Sequence, residues 1–124
     1  MPERPDDNRA VERWEVQVRK GVLELIVLAA LWSGRLYGLE LIRRLEGDAQ
    51  LAVPEGTLYP LLNRLRTDGQ VVAEWVEAEA GHPRKYYKLT PEGRRRLVHM
   101  ARFWRRFTTN IDEVLAPVLS ERRR

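Results

Sequence analysis

Val11, Trp14 and Val18 recur at spacings of three and four while Glu12, Arg13 and Glu15 fall mostly between them, which predicts a short helix over 9–20. Before it, Met1 to Asn8 carries Pro2, Pro5 and acidic residues with nothing apolar to bury, and disorder is expected there. Gly21 is expected to loosen the chain ahead of the apolar run Val22 to Trp32, a core helix that Ser33-Gly34 would close. Leu41, Ile42 and Leu45 then share one face of a helix over Tyr37 to Leu45, with Glu40, Arg43 and Arg44 turned away and Gly47-Asp48 beyond its end. The stretch PEGTLYPLLNRLRTDG stacks Leu58, Leu61, Leu62 and Leu65 on one helical face, and Pro60 predicts a late or irregular start. VVAEWVE alternates, and KYYKLT repeats its character after Gly81 and Pro83, so an antiparallel hairpin is expected with Ala78 to Arg84 at its tip. Thr90-Pro91-Glu92 is a helix start with N-cap, first-turn proline and acid, and Pro117 is expected to end that helix.

Helices joined by short turns, a hairpin with a basic tip and then a long helix make a mainly α fold with a small β-hairpin. This is the element order of a winged helix-turn-helix domain over 21–90, followed by a long C-terminal dimerisation helix over 91–116 and a solvated basic tail over 117–124. In the long helix Leu97, Trp104 and Ile111 recur at sevens, as do Met100, Phe107 and Val114. With Ala101 and Leu115 they form a band too broad and aromatic to leave in water, and the simplest cover is the same helix of a second copy. The expected dimer interface is Trp14, Leu97, Ala101, Trp104, Phe107 and Ile111.

A chain of 124 residues is the size of one domain. With 22 Lys plus Arg against 18 Asp plus Glu, the net charge of +4 favours an anionic partner. The excess is local: from Gly81 to Arg106 nine basic residues face Glu92 alone. Most arginines of the long helix are expected to solvate its outer face, whereas Arg84 and Lys85, at a hairpin tip, suit phosphate contact. Glu77 and Glu79 would repel phosphate, which leaves only the far side of that loop for such contact. The absence of Cys excludes disulfides, thiolate catalysis and sulfur-bound zinc. His82 and His99 lack a carboxylate at ligand spacing and no glycine loop cradles a phosphate, so neither an enzyme, a metal nor a cofactor is expected. The longest apolar run is too short to span a bilayer, the N-terminus does not resemble a secretory signal, and a cytoplasmic address is expected.

On the helix carrying the four leucines, Thr57, Tyr59, Asn63, Arg64 and Thr67 project outward. An amide pairs with a base edge, a guanidinium reaches guanine or phosphate, and hydroxyls reach phosphate oxygens, which together suit a helix that reads a DNA groove. Tyr59 and Tyr37 fit phosphate bonding and inter-helix packing equally well, while Tyr86 and Tyr87 are expected in the hairpin core.

The strings YGLELIRRL, GTLYPLLNRLRTDG and GHPRKYYKLTPEGRR resemble signatures of the PadR family of bacterial transcriptional regulators, over approximately Lys20 to Leu115. The resemblance implies a winged-helix homodimer that sits on a two-fold-symmetric operator, usually represses, and often releases DNA when a small molecule binds. It implies the shorter branch of the family, with one C-terminal helix and an extra N-terminal helix against the partner's arm. By position it assigns Thr57, Tyr59, Asn63 and Arg64 to the recognition helix and His82, Arg84 and Lys85 to the wing. Resemblance to drug-binding members also suggests Trp104 as a stacking surface for a flat aromatic ligand, although a Trp in a heptad column is more often packing. Two other readings compete: a small-molecule sensor or sequestering module built on the aromatic interface, and a winged helix that binds only another protein.

Overall fold

The computed structural model describes residues 5–48, 51–77 and 81–121 in the order α1 (Pro5–Ala30), β1 (Leu36–Tyr37), α2 (Gly38–Asp48), α3 (Glu55–Thr67), β2 (Val71–Glu77), β3 (Pro83–Leu89) and α4 (Pro91–Glu121). Leu23, Val27 and Leu28 form the apolar stripe of α1, and with Leu31 just beyond its end they meet Leu41 and Leu45 of α2 and the four leucines of α3 in one buried cluster. Leu51 and Val53 from the connection, Leu36, Val71, Tyr87 and Leu89 from the sheet, and Leu97 from α4 close it. The three strands pair antiparallel in the order β1-β3-β2, with Trp75 opposite Lys85, Ala73 opposite Tyr87, and Tyr37 opposite Tyr86.

Several expected boundaries move. Helix α1 begins at Pro5 and passes through Gly21 without a break, so the separate helix over 9–20 and the core helix from Val22 are one rod. A single interior glycine costs a helix only about 1 kcal/mol, and the leucines beyond it pack on the head. Of the expected disordered segment, residues 1–4 lie outside the described residues and Pro5 to Asn8 are helical. Helix α4 likewise continues through Pro117 to Glu121. The bond that Pro117 cannot make falls on an exposed stretch, where water can serve the carbonyl left open. Helix α3 starts at Glu55 with Pro54 as N-cap and runs through Pro60, whose lost bond leaves the carbonyl of exposed Gly56 to solvent. Tyr37 belongs to β1 and not to a helix; two residues are too few for an alternation pattern to register. Of the expected hairpin tip, residues 78–80 lie outside the described residues, as do Arg122 to Arg124 of the tail.

The start of α4 is locked to the turn between α3 and β2. The Thr90 hydroxyl donates to the Gly69 carbonyl at 2.6 Å and accepts the Gly93 N–H at 2.9 Å, while the Thr90 N–H donates to the Gln70 carbonyl at 3.1 Å. Gly69 makes that turn with φ of 78°. A Cβ on Gly93 would collide with the Gln70 backbone. The direction in which α4 leaves the head is thereby set by backbone contacts. Gly93→Ala is expected to cost about 1–3 kcal/mol of unfolding free energy, whereas Gly47→Ala, where a Cβ meets nothing within 4 Å, is expected to be neutral or stabilising. Urea unfolding monitored by circular dichroism checks both, and an unshifted Gly93→Ala midpoint would contradict the contact.

Candidate nucleic-acid interface

Burial of Leu58, Leu61, Leu62 and Leu65 fixes the rotation of α3 and leaves Gly56, Pro60, Asn63 and Thr67 along its exposed face. Tyr59 and Arg66 flank that face on the side of the sheet, and Thr57 and Arg64 flank it on the side of α1. On the sheet side, a concavity of about 540 Å³ lies between α3 and the wing formed by β2 and β3, and Tyr59, Asn63, Arg84, Lys85 and Trp75 all line it together with Tyr37, Gly38, Leu39 and Tyr87. The wing basic residues are held on aromatic faces. The Arg84 guanidinium sits 4.5 Å from the Tyr37 ring centroid, and the Lys85 ammonium lies 5.9 Å from that of Trp75 and 5.7 Å from that of Tyr87. Such contacts orient cations while leaving their N–H groups free for an anion.

Tyr37 packs edge-on against Tyr86 with centroids 5.4 Å apart, and Arg35 covers the other ring at 4.7 Å while pairing with Glu74 at 2.8 Å. The Arg35 hydrogen bond holds the Glu74 carboxyl below its ordinary range, aided by Lys88. Glu74 points to the sheet face opposite Trp75 and does not line the concavity, its charge being paired with Arg35. Burial, with Tyr59 nearby, pushes the Tyr87 hydroxyl above its usual value, and it stays a neutral donor. Gly38 opens α2 directly beneath Tyr59, and a Cβ there would collide with the phenol ring and hydroxyl.

The expected reading set therefore divides. Tyr59, Asn63, Arg84 and Lys85 are brought together. Thr57 lies on the other flank beside Lys20 and Leu23, and His82 is exposed beyond the concavity without lining it. Arg64 donates to Glu24 of α1 at 3.3 Å, and the second oxygen of the same carboxylate accepts from Arg96 of α4 at 3.3 Å. Sequence reasoning could not see that partner, which lies 40 positions upstream. It also passed over Trp75, Arg66 and Gly38; the one available signal was the alternation that puts Trp75 on the same strand face as Val71 and Ala73.

The arm carries a second feature. Helices α1 and α4 flank an apolar groove of about 700 Å³ lined by Trp14, Val18, Val22 and Leu25 on one side and Met100, Phe103, Trp104, Phe107 and Ile111 on the other. Phe103 and Phe107 stack at 5.2 Å, and Trp14 is 64% exposed. Leu97 corrects the expected interface: it is 5% exposed and belongs to the protomer's own core, because the first turns of α4 still lie over the head. Ala101 is exposed but does not line the groove. Among the described residues no helix is long and apolar enough to cross a membrane.

The sequence model of the transcriptional regulator PadR-like family matches residues 27–99, which takes in α2, α3, the wing and the start of α4. The chain belongs to the PadR-like family of transcriptional regulators. This PadR-like regulator is 32% identical over 78 residues to transcriptional regulator Rv3488 of Mycobacterium tuberculosis, covering 63% of this chain and 71% of the relative. Among solved structures it is similar to a PadR family regulator from Eggerthella lenta, with a TM-score of 0.78 and 31% identity over 87% of this chain and 94% of that one. A PadR-like transcription factor from Bacteroides fragilis aligns with a TM-score of 0.68 and 39% identity, covering 82% and 98% of the two chains. Family membership makes the protein a transcriptional regulator and not an enzyme, with a winged-helix head.

The close approach of Gly38 and Tyr59 gives a measurable coupling in this regulator. Gly38→Ala is expected to push the part-exposed Tyr59 ring aside and to cost up to about 1 kcal/mol of stability with Tyr59 present, and less in a Tyr59→Ala background. A double-mutant cycle by urea unfolding reads the difference, and additive effects would mean that the two residues do not touch.

Proposed function

We propose that this PadR-like regulator is a homodimeric repressor that reads a two-fold-symmetric operator and is released by a small aromatic ligand. The observation that carries the reading is the concavity shared by Asn63 and Tyr59 of α3 with Arg84 and Lys85 of the wing. Asn63, on the exposed face of α3, reads a base edge in the major groove, where an amide matches adenine in two-point fashion. Arg84 and Lys85 take phosphates of the adjoining backbone, and Tyr59 adds a hydroxyl to the same strand. Thr57 and Arg64 face the backbone on the other flank of α3, and His82 extends the wing contact. Two heads must then be held roughly 34–36 Å apart, one helical turn.

The exposed apolar band of α4 and α1 supports a second copy as that holder, through Trp14, Ala101, Trp104, Phe107 and Ile111. The groove walled by Trp14 and Trp104 has the size and apolar lining of a site for a flat aromatic molecule. Such a ligand releases DNA if it favours a head spacing that the operator does not match, since equal affinity for both states shifts nothing. A duplex partner is consistent with a cytoplasmic address. The groove also favours a second reading, a sensor or sequestering module with a weakly binding head.

Genomic fragments selected on the protein supply the operator for the test. Asn63→Ala is expected to relax base preference at particular operator positions by about 1–3 kcal/mol. Arg84→Ala is expected to weaken binding across all sequences and to flatten its salt dependence by about one phosphate contact. Sedimentation should give a dimer. Indifference to both changes would remove DNA as the partner. Tight quenching of Trp fluorescence by planar aromatics, with no duplex bound at moderate salt, would favour the sensor.

A further inference from the structure

Trp75 sits near the free end of β2 with 68% of its surface exposed, while Val71 on the same strand face is buried and Ala73 is half-buried. By register it stands opposite Lys85. Leaving so large an apolar ring in water forgoes the gain of burying it, and among the described residues the Lys85 ammonium lies over the indole. Its position is more informative than its exposure. The ring lines the concavity between the wing and α3 with Asn63, Tyr59, Arg84 and Lys85, and no carboxylate lines that space. Glu74 points to the other face and is tied to Arg35, and Glu77, on the face of Trp75 at the strand end, does not line the concavity.

An apolar ring with Lys85 on its own strand face and Arg84 elsewhere on the lining of the same concavity is complementary to a partner that alternates negative charge with apolar surface at short intervals. The DNA backbone does so, with phosphates separated by deoxyribose rings. Base faces are not offered to that part of the wing, because in a duplex they are stacked inside, and base edges are polar. We propose that Trp75 is a DNA-contact residue whose indole packs on a deoxyribose of the strand seated between α3 and the wing, with Lys85 on the adjoining phosphate. The assignment rests on the duplex-reading proposal above and adds to it a sequence-independent, uncharged share of the affinity. Apolar packing displaces no counterions, so this share does not change with salt, unlike that of Lys85.

The test uses the full chain and a fluorescein-labelled mixed-sequence duplex of three helical turns, titrated by anisotropy over a series of potassium chloride concentrations. Trp75→Ala is expected to weaken binding about tenfold, as fits the loss of one partly buried large apolar side chain, by the same factor at every salt concentration. Trp75→Phe should retain most of the affinity. Lys85→Ala should weaken binding and also lower the salt slope by about one. The wild-type chain should show a duplex-dependent change in Trp emission that Trp75→Phe lacks. Wild-type affinity in Trp75→Ala, or a loss accompanied by the flattened slope of Lys85→Ala, overturns the assignment while leaving duplex reading intact. Failure of the wild-type chain to bind any duplex overturns both.

Discussion

Every functional position in the head depends on how α3 is rotated about its own axis, and four leucines set that rotation. Leu58, Leu61, Leu62 and Leu65 are all buried against α1, α2 and the sheet, and turning the helix by one residue would expose two or more of them. At about 25 cal/mol per Å² of apolar surface such a slip costs several kcal/mol, a large part of a small domain's stability. The outward residues are therefore determined indirectly, as whatever lies opposite the leucines. That logic yields an exposed line through Asn63 and two unequal flanks. The flank toward the sheet meets aromatic rings and wing cations, and the flank toward α1 meets a carboxylate.

The arm obeys a different constraint. A head of this size can cover only the first turns of a long helix, so the heptad columns of α4 change role along their length. Leu97 closes the protomer's own core, whereas Trp104 and Ile111, one and two heptads on, are 38% and 37% exposed. One periodic pattern serves two surfaces. Where the pattern outruns the head, α1 contributes the opposite wall, and the two rods leave an apolar groove open along their seam.

This change of role explains what could be read from the chain and what could not. Periodicities of three, four and seven identify α2, α3 and α4 and the inward faces of α2 and α3, because they record burial directly, whereas α1 reads as two helices parted at Gly21. Alternation found β2 and β3. Punctuation by glycine and proline was a poorer guide: Gly21, Pro60 and Pro117 each lie inside a helix, since the cost of one such residue is small beside the packing or continuity of a long rod. The heptad column could not show where the head ends, so Leu97 was grouped with residues that face outward. Long-range polar pairs leave no local trace either. Nothing around Asn63-Arg64 reports that Glu24, on a helix far upstream, is the partner of Arg64. Trp75 was legible as a strand residue but not as an exposed one, because its neighbours on the same face are covered and only the limit of the core leaves it bare.

The Glu24 carboxylate is where head and arm meet. Val22 and Leu25 face the groove, and Glu24, between them in sequence but on another side of the same helix, holds Arg64 of α3 and Arg96 of α4. A solvent-touching ion pair is worth about 1 kcal/mol or less, so neither contact alone governs how α3 sits. The two share one acceptor, however, and withdrawing it leaves two guanidinium groups facing each other without a counter-charge. They therefore fail together, but with both guanidinium groups more than a third exposed, solvent screens the pair and keeps their joint effect small. Because α1 is a continuous helix through Gly21, the groove wall formed by Trp14, Val18 and Val22 and the Glu24 carboxylate belong to one element, and Glu24 is the side chain that ties that element to α3 and to α4.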